Sequence, residues 1–404
     1  MRTFRVLAAA ALAAVMLLSC ATYPGPSASA PPLATASPIA VNPTESKAAD
    51  LRTRLDLLLG EHVIAIAKES SAAGSRADEY TSYLHMLTAN GNDLTELVRS
   101  ALGDTAATRF DQIWSAQNDY FVNYTIGLVT HNTGKADGAM SSLVSAFVPQ
   151  FSQFLATATQ IPMDQIQQLV FQHGLETKAI IDDQFAPDYL RLYADIRLVY
   201  AQASRIGDAL APKIAQKFPD KFPGNPSSPA VDLRVSMNSL LQEHAFLATM
   251  ATSAATRGRD AEETAAVGAL ANTTDAVGTL FAGLFGASVG TRFNQIWAAK
   301  DTAMITYASA STGSAEPSAL NQLTGVFVTQ FSGFVRDSTS QSSDTLRMAI
   351  DAQVRATIAV IDDQRLKSAA RLGADDRAAD ASMEVLADLI VSAAIDKLRV
   401  RFPT

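Results

Sequence analysis

Cysteine occurs once in 404 residues, at Cys20, so no disulfide can form within the chain. No stretch alternates apolar and polar residues for long enough to build a strand, so no sheet is expected. Runs of Lys or Arg are missing, and 32 basic residues face 40 acidic ones, a net charge of −8. Phosphate contacts need a basic face, so no nucleic-acid partner is expected. Catalytic signatures are few: there is no His-Glu-x-x-His, no phosphate loop and no catalytic cysteine. The expectation is a protein that is not an enzyme. Tryptophan is scarce, with two in the chain, and their positions organise everything else.

At the N-terminus, Arg2 and Arg5 precede an apolar run from Val6 to Leu18. That run falls short of the ~20 residues a spanning helix needs. It ends in Leu17-Leu18-Ser19-Cys20, which resembles a bacterial lipobox. The resemblance implies a signal peptide over residues 1–19, cleavage before Cys20, and diacylglyceryl and palmitate-type acylation at Cys20. Buried acyl chains contribute about 0.8 kcal/mol per CH₂, so two or three chains make a stable membrane anchor on the exported side of the cell envelope. Residues 20–46 are rich in Pro, Ala, Ser and Thr and read as a disordered tether. Its reach is at most roughly 80 Å, in the polyproline limit.

The rest of the chain reads as one unit written twice. Thr108-Arg109-Phe110-Asp111-Gln112-Ile113-Trp114 returns as Thr291-Arg292-Phe293-Asn294-Gln295-Ile296-Trp297. Phe147, Phe151 and Phe154 return as Phe327, Phe331 and Phe334, and Ile181-Asp182-Asp183-Gln184 returns as Ile361-Asp362-Asp363-Gln364. Apolar residues recur at helical spacing throughout. The expected fold is all-α: two tandem, duplicated bundles of about six helices each, residues 47–223 and 231–404, with a linker at 224–230. Each bundle is expected to have its own core, the two touching across the linker. Pro149, inside the phenylalanine run, predicts a kink or a late helix start.

Polar residues kept in both halves are the candidate site. His62 and His244 fall on the leucine faces of their helices. Asn90 and Asp93 pair with Asn272 and Asp275, and Asp182-Asp183 with Asp362-Asp363. A buried histidine needs a hydrogen-bond partner, and Asn90 and Asp93 could supply it. Two readings stand: a buried polar network that sets helix register, or one metal site per bundle built from the histidine and the carboxylates. No other cofactor is implied. Trp114 and Trp297 read as core residues. Arg109 and Arg292 read as structural, each pairing with a carboxylate such as Asp182 or Asp362.

Leu58-Leu59-Gly60-Glu61-His62, Asn90 to Asp93, Phe110 to Trp114 and Pro219 to Pro223 together resemble the repeats of a poorly characterised group of secreted bacterial helical proteins, some of them described as copper amine oxidase-like. The resemblance implies an exported helical protein and no particular reaction. Copper amine oxidases proper are β-rich, with three histidine ligands and a quinone-forming tyrosine followed by an acid; here Thr125 follows Asn123-Tyr124. The group also tends to carry a histidine shortly after the tryptophan, where this chain has Gln117-Asn118 and Lys300-Asp301. The functional expectation is a non-enzymatic, lipid-anchored envelope protein that binds or scaffolds. Its partners would be the membrane, through the lipid, and an envelope protein or small ligand of unknown identity. The alternative is a metal-binding or metal-buffering lipoprotein.

Overall fold

The computed structural model describes residues 44–186, 188–310, 315–341 and 344–403. The signal segment, Cys20 and the tether up to residue 43 lie outside the described residues.

Each half opens on a helix with almost no exposed face. The Ser46 hydroxyl accepts from the Ala49 amide and starts α1 (Lys47–Gly74). Ala48, Leu51, Leu58, Val63, Ile64, Ile66 and Ala67, spread around its circumference, are all buried. α8 (Pro229–Thr256) is capped in the same way by Ser228, with Pro229 in its first turn. A helix that is apolar all round belongs in the middle of a fold. Accordingly, α1 and α8 pack on each other and the remaining helices pack around them.

In the first half these are α2 (Tyr80–Leu102), α3 (Asp104–Val129), α4 (Thr133–Ser142), α5 (Val148–Thr159), α6 (Met163–Phe185) and α7 (Tyr189–Lys217). In the second they are α9 (Asp260–Phe285), α10 (Ala287–Ser309), α11 (Ala315–Asn321), α12 (Val328–Thr339), α13 (Asp344–Leu366) and α14 (Leu372–Lys397). No strand occurs among the described residues. Nor is any helix among them long and apolar enough to cross a membrane.

The expected break at Pro149 takes another form. A π turn, Leu143–Phe147, joins α4 to α5, and Pro149 sits in the first turn of α5. A π turn, Gln322–Phe327, stands at the same place in the second half, where Thr329 replaces the proline. Proline is therefore not its cause. The wider turn drives Leu143 and Phe147, or Leu323 and Phe327, into the core.

The two bundles do not keep separate cores. One hydrophobic cluster runs from Leu51 and Trp114 through Leu241 and Phe246 to Trp297 and Ile395. The reason is the all-round burial of α1 and α8, which leaves neither half able to cover its own first helix. Small residues make the approach possible. A Cβ on Gly60 would lie 3.1 Å from the Gln242 side chain, and one on Gly373 would lie 2.5 Å from the Ser82 carbonyl, each in the other half.

Ion pairs cross the seam reciprocally. Arg197 Nε donates to Glu243 Oε1 at 2.8 Å, and Arg377 Nε donates to Glu61 Oε1 at 2.6 Å. The Lys68 ammonium, fully enclosed, donates to Asp376 and Thr249 at 2.7 and 2.8 Å.

Candidate ligand cavity in the first half

The predicted polar residues do not assemble as a unit. Asn90 Nδ2 donates to Glu61 Oε2 and to the Leu58 carbonyl, at 2.9 and 2.8 Å, and leaves His62 alone. Asp93 takes a hydrogen bond from Arg377. Asp182 accepts from the Tyr124 hydroxyl and from Lys178, as Asp362 accepts from Tyr307. Asp183 faces Arg191 at 3.2 Å, and burial, with the neighbouring carboxylates of Asp195 and Asp375, raises Asp183 to about 6 and Asp363 above its usual value. The ligand set of His62, Asp93 and Asp182 or Asp183 is thus not brought together. Among the described residues no three His, Cys, Asp or Glu side chains are grouped to hold a metal ion.

Two further expectations are corrected. Arg109 donates to Gln150 Oε1 at 2.8 Å and Arg292 pairs with Asp337 at 3.0 Å, so neither reaches Asp182 or Asp362. These contacts bridge α3 to α5 and α10 to α12, the nearest neighbours on that surface. Asn272 and Asp275 are exposed. The buried face of α9, Ala266, Ala269, Leu270, Thr273, Thr274 and Val277, matches Tyr83, Met86, Leu87, Asn90, Gly91 and Leu94 of α2. Thr273, not Asn272, is therefore the counterpart of Asn90. A one-residue loop difference moved the register.

What surrounds His62 is aromatic. Its ring lies 4.6 Å from that of Trp114, which stacks on Phe110 at 5.3 Å and meets Phe151 at 5.4 Å. Burial lowers the His62 ring to about 3, helped by repulsion from His173, and burial lowers His173 to about 4. Both are neutral at physiological pH. Neither ring nitrogen of His62 or of His173 has a hydrogen-bond partner in the protein. The same holds for Trp114 Nε1 and for both amide atoms of Gln117. Each such buried group costs about 1–3 kcal/mol if left unpaired.

Trp114, Gln117 and His173 line a cavity of ≈ 80 Å³. Its remaining walls are apolar, from Val98, Phe110, Phe147, Phe151, Phe154 and aliphatic residues of α1, α2, α6 and α7. A concave, mostly apolar space is the usual setting of a small-molecule site.

The second half resolves the same space internally. Trp297 Nε1 donates to His244 Nε2 at 2.7 Å, and that nitrogen also lies 3.1 Å from Asp301 Oδ1. Nε2 cannot both accept from the indole and donate to the carboxylate, so the tautomer selects one bond. The Thr274 hydroxyl donates to Asp301 at 3.0 Å, and Lys300 Nζ stands 3.8 Å from Asp301 and 4.8 Å from the Trp297 ring centre. Burial lowers Lys300 to about 8, against the pull of Asp301. Burial also lowers His244, while Asp301 partly restores it. Gln353, at the place of His173, donates to Thr357 at 2.9 Å. Phe281 stands where the first half has Val98, and its ring lies 4.8 Å from Phe293 and 5.1 Å from Phe334.

Gln117 and His173 were missed from the sequence because only features kept in both halves were counted. The signal was there as a difference: Gln117 against Lys300, His173 against Gln353, and Val98 against Phe281. No protein-family model, curated protein or solved structure matches the chain.

Proposed function

We propose that this is a non-enzymatic, lipid-anchored envelope protein whose first half binds a small, mostly apolar molecule. One observation carries the reading: the almost wholly apolar cavity of ≈ 80 Å³ walled by Phe110, Trp114, Phe147, Phe151 and Phe154. The second half, with the Trp297 indole bonded to His244 and Phe281 in place, serves as packing and support. The lipobox-like Leu17-Leu18-Ser19-Cys20 supports the anchor.

The test is to purify the full chain from its native envelope, extract it with organic solvent, and identify small molecules by mass spectrometry. A stoichiometric compound, absent from a Val98→Phe variant, is expected. Equal recovery from both proteins overturns the cavity as the site. A mature N-terminus carrying unmodified Cys20 overturns the anchor. A metal-binding role is the second reading, favoured by the neighbouring His62 and His173 rings with unpartnered nitrogens. Stoichiometric metal that disappears in His62→Ala would establish it in place of the first.

A further inference from the structure

If the cavity is the binding site proposed above, its wall, its shape and its mouth set the class of the ligand. No Lys, Arg, Asp or Glu lines it. Trp114, Gln117 and His173 do, but their side-chain nitrogen and oxygen atoms are themselves enclosed in the packing. The space therefore meets carbon. A charged or hydrogen-bonding group taken inside would lose its hydration with no partner in return. What enters must be hydrocarbon, with any polar group left outside.

The space is long and narrow. Its wall runs along α2 from Leu94 to Leu102 and along α7 from Ile206 to Ile214. Each stretch advances about 12 Å, at roughly 1.5 Å per residue. Only ≈ 80 Å³ is spread over that length. At about 10–15 Å³ for each water-sized group, it holds roughly five to eight such groups in file. That is the form of an unbranched alkyl chain of about eight carbons.

The mouth carries charge of one sign. Leu169 of α6 and Ala209 of α7 line the space and are exposed, so it opens between those two helices. Arg205 and Lys213 stand one turn before and one turn after Ala209, on the same face of α7. Both are exposed, and among the described residues no ion pair engages either. Asp208, beside Ala209, is already held by Arg52 at 2.6 Å. On α6 the neighbours of Leu169 are the uncharged Gln165, Gln168 and Gln172. The nearest acid on that face, Glu176, is two turns away and accepts from Gln202 at 3.0 Å. We infer that the cavity of the first half takes the hydrocarbon tail of a single-chain anionic amphiphile, whose anionic head stays at the mouth beside Arg205 and Lys213.

Matched probes test this by calorimetry at pH 7 and low salt: octanoate, octyl phosphate, octanol, octylammonium, butanoate and toluene. The protein is residues 44–404, which carry their own continuous core. Octanoate and octyl phosphate should each bind at least about threefold more tightly than octylammonium, and the tighter of the two tells a carboxylate head from a phosphate. Butanoate should bind at least about tenfold more weakly than octanoate, because each CH₂ removed from the cavity weakens binding about fourfold. Arg205→Gln with Lys213→Gln should bring both anions to the level of octylammonium and leave octanol unchanged. Val98→Phe, which installs the side chain the second half already uses, should abolish binding of octanol and octanoate while the thermal midpoint holds or rises. Octylammonium binding as tightly as the anions, or anions unaffected by the double substitution, overturns the anionic head. Toluene binding more tightly than octanol overturns the chain. Either result leaves the cavity as the site. If no probe binds, or all bind Val98→Phe unchanged, the underlying reading falls with it.

Discussion

Arg52 and Arg234 hold equivalent places in the two halves and exchange partners across the seam. Arg52 Nη1 donates to Asp232 at 2.5 Å, and Arg234 Nη1 donates to Asp50 at 2.5 Å. Each also reaches the last long helix of its own half, Arg52 at Asp208 and Arg234 at Asp388. Asp50 and Asp232 are equivalent, as are Asp208 and Asp388, so the contact is two-fold in pattern although it lies within one chain. One long helix from each half, α7 and α14, also touches the other half's second helix, α9 and α2. A seam of this kind needs both halves present, which is why the molecule has one core.

Breaking the exchange should loosen the seam. Arg234 is mostly enclosed and its acidic partners are half-exposed, so Arg234→Met should cost about 1–3 kcal/mol. Arg52→Met with Arg234→Met should depart from additivity, because both clamp the same pair of helices. Urea denaturation of the two single variants and the double variant measures this; a cost within error of zero for all three would mean the exchange contributes nothing.

The two histidines should respond differently to removal. His244→Leu strands the Trp297 N–H and takes a neighbour from the buried Asp301 carboxylate, for about 2–4 kcal/mol. His62→Leu removes a ring with no partner in the protein and should cost less than half of that. Equal losses in chemical denaturation would show that both rings are held alike.

Acid should unfold the protein through the first-half histidines. His62 and His173 are lowered from 6.5 to about 3 and about 4, the first by burial and by His173, the second by burial. Their stabilisation is complete above pH 6.5. As pH falls the unfolded chain binds protons that the folded chain refuses, until about pH 4. Each ring then removes about 1.4 kcal/mol per pH unit in that window. The midpoint in urea should drop steeply from pH 6.5 to pH 4.5, and His62→Leu with His173→Leu should flatten the drop.

Glu69 has the opposite sign. Burial pushes it from 4.5 up to about 8, against the neighbouring Tyr80 and Thr125 hydroxyls, which pull it down. It is protonated in the fold at neutral pH, so its contribution is complete below pH 4.5 and is lost as pH rises towards 8. Glu69→Gln should therefore stabilise the protein at pH 7 by about 1–3 kcal/mol. The gain should vanish near pH 4.5; a gain independent of pH would have another origin.

Swapping the two cavity residues should be asymmetric. Phe281→Val opens a filled core beside Phe293 and Phe334 and should cost about 2–4 kcal/mol. Val98→Phe fills existing space and should cost nothing or stabilise by up to about 1 kcal/mol. A strongly destabilised Val98→Phe would mean that the first-half space is not shaped for that ring.

Periodicity was enough to locate the helices. Helix faces such as Leu51, Leu58 and Ile66, caps such as Ser46 and Ser228, and turn residues near 131–134 act over one or two turns of chain, so they are visible locally. The first-half site was half visible. His62 and Trp114 stood out because their matches recur, whereas Gln117 and His173 lie on different helices and no recurring pattern joins them. The register of α9 was out of reach as well, because a one-residue slip between similar alanine-rich faces leaves the apolar pattern nearly unchanged.

The amino-acid order alone determined an all-helical chain with a repeated aromatic and histidine pattern, since backbone period and side-chain polarity are local properties. Only the three-dimensional packing decided which polar atoms found partners. Trp297 met His244, and Asp301 met Thr274 and Lys300, while Trp114, Gln117 and His173 came together around a space that Phe281 fills in the other half. Pairing of that kind depends on which helices become neighbours, and the neighbours here were set by the burial of α1 against α8.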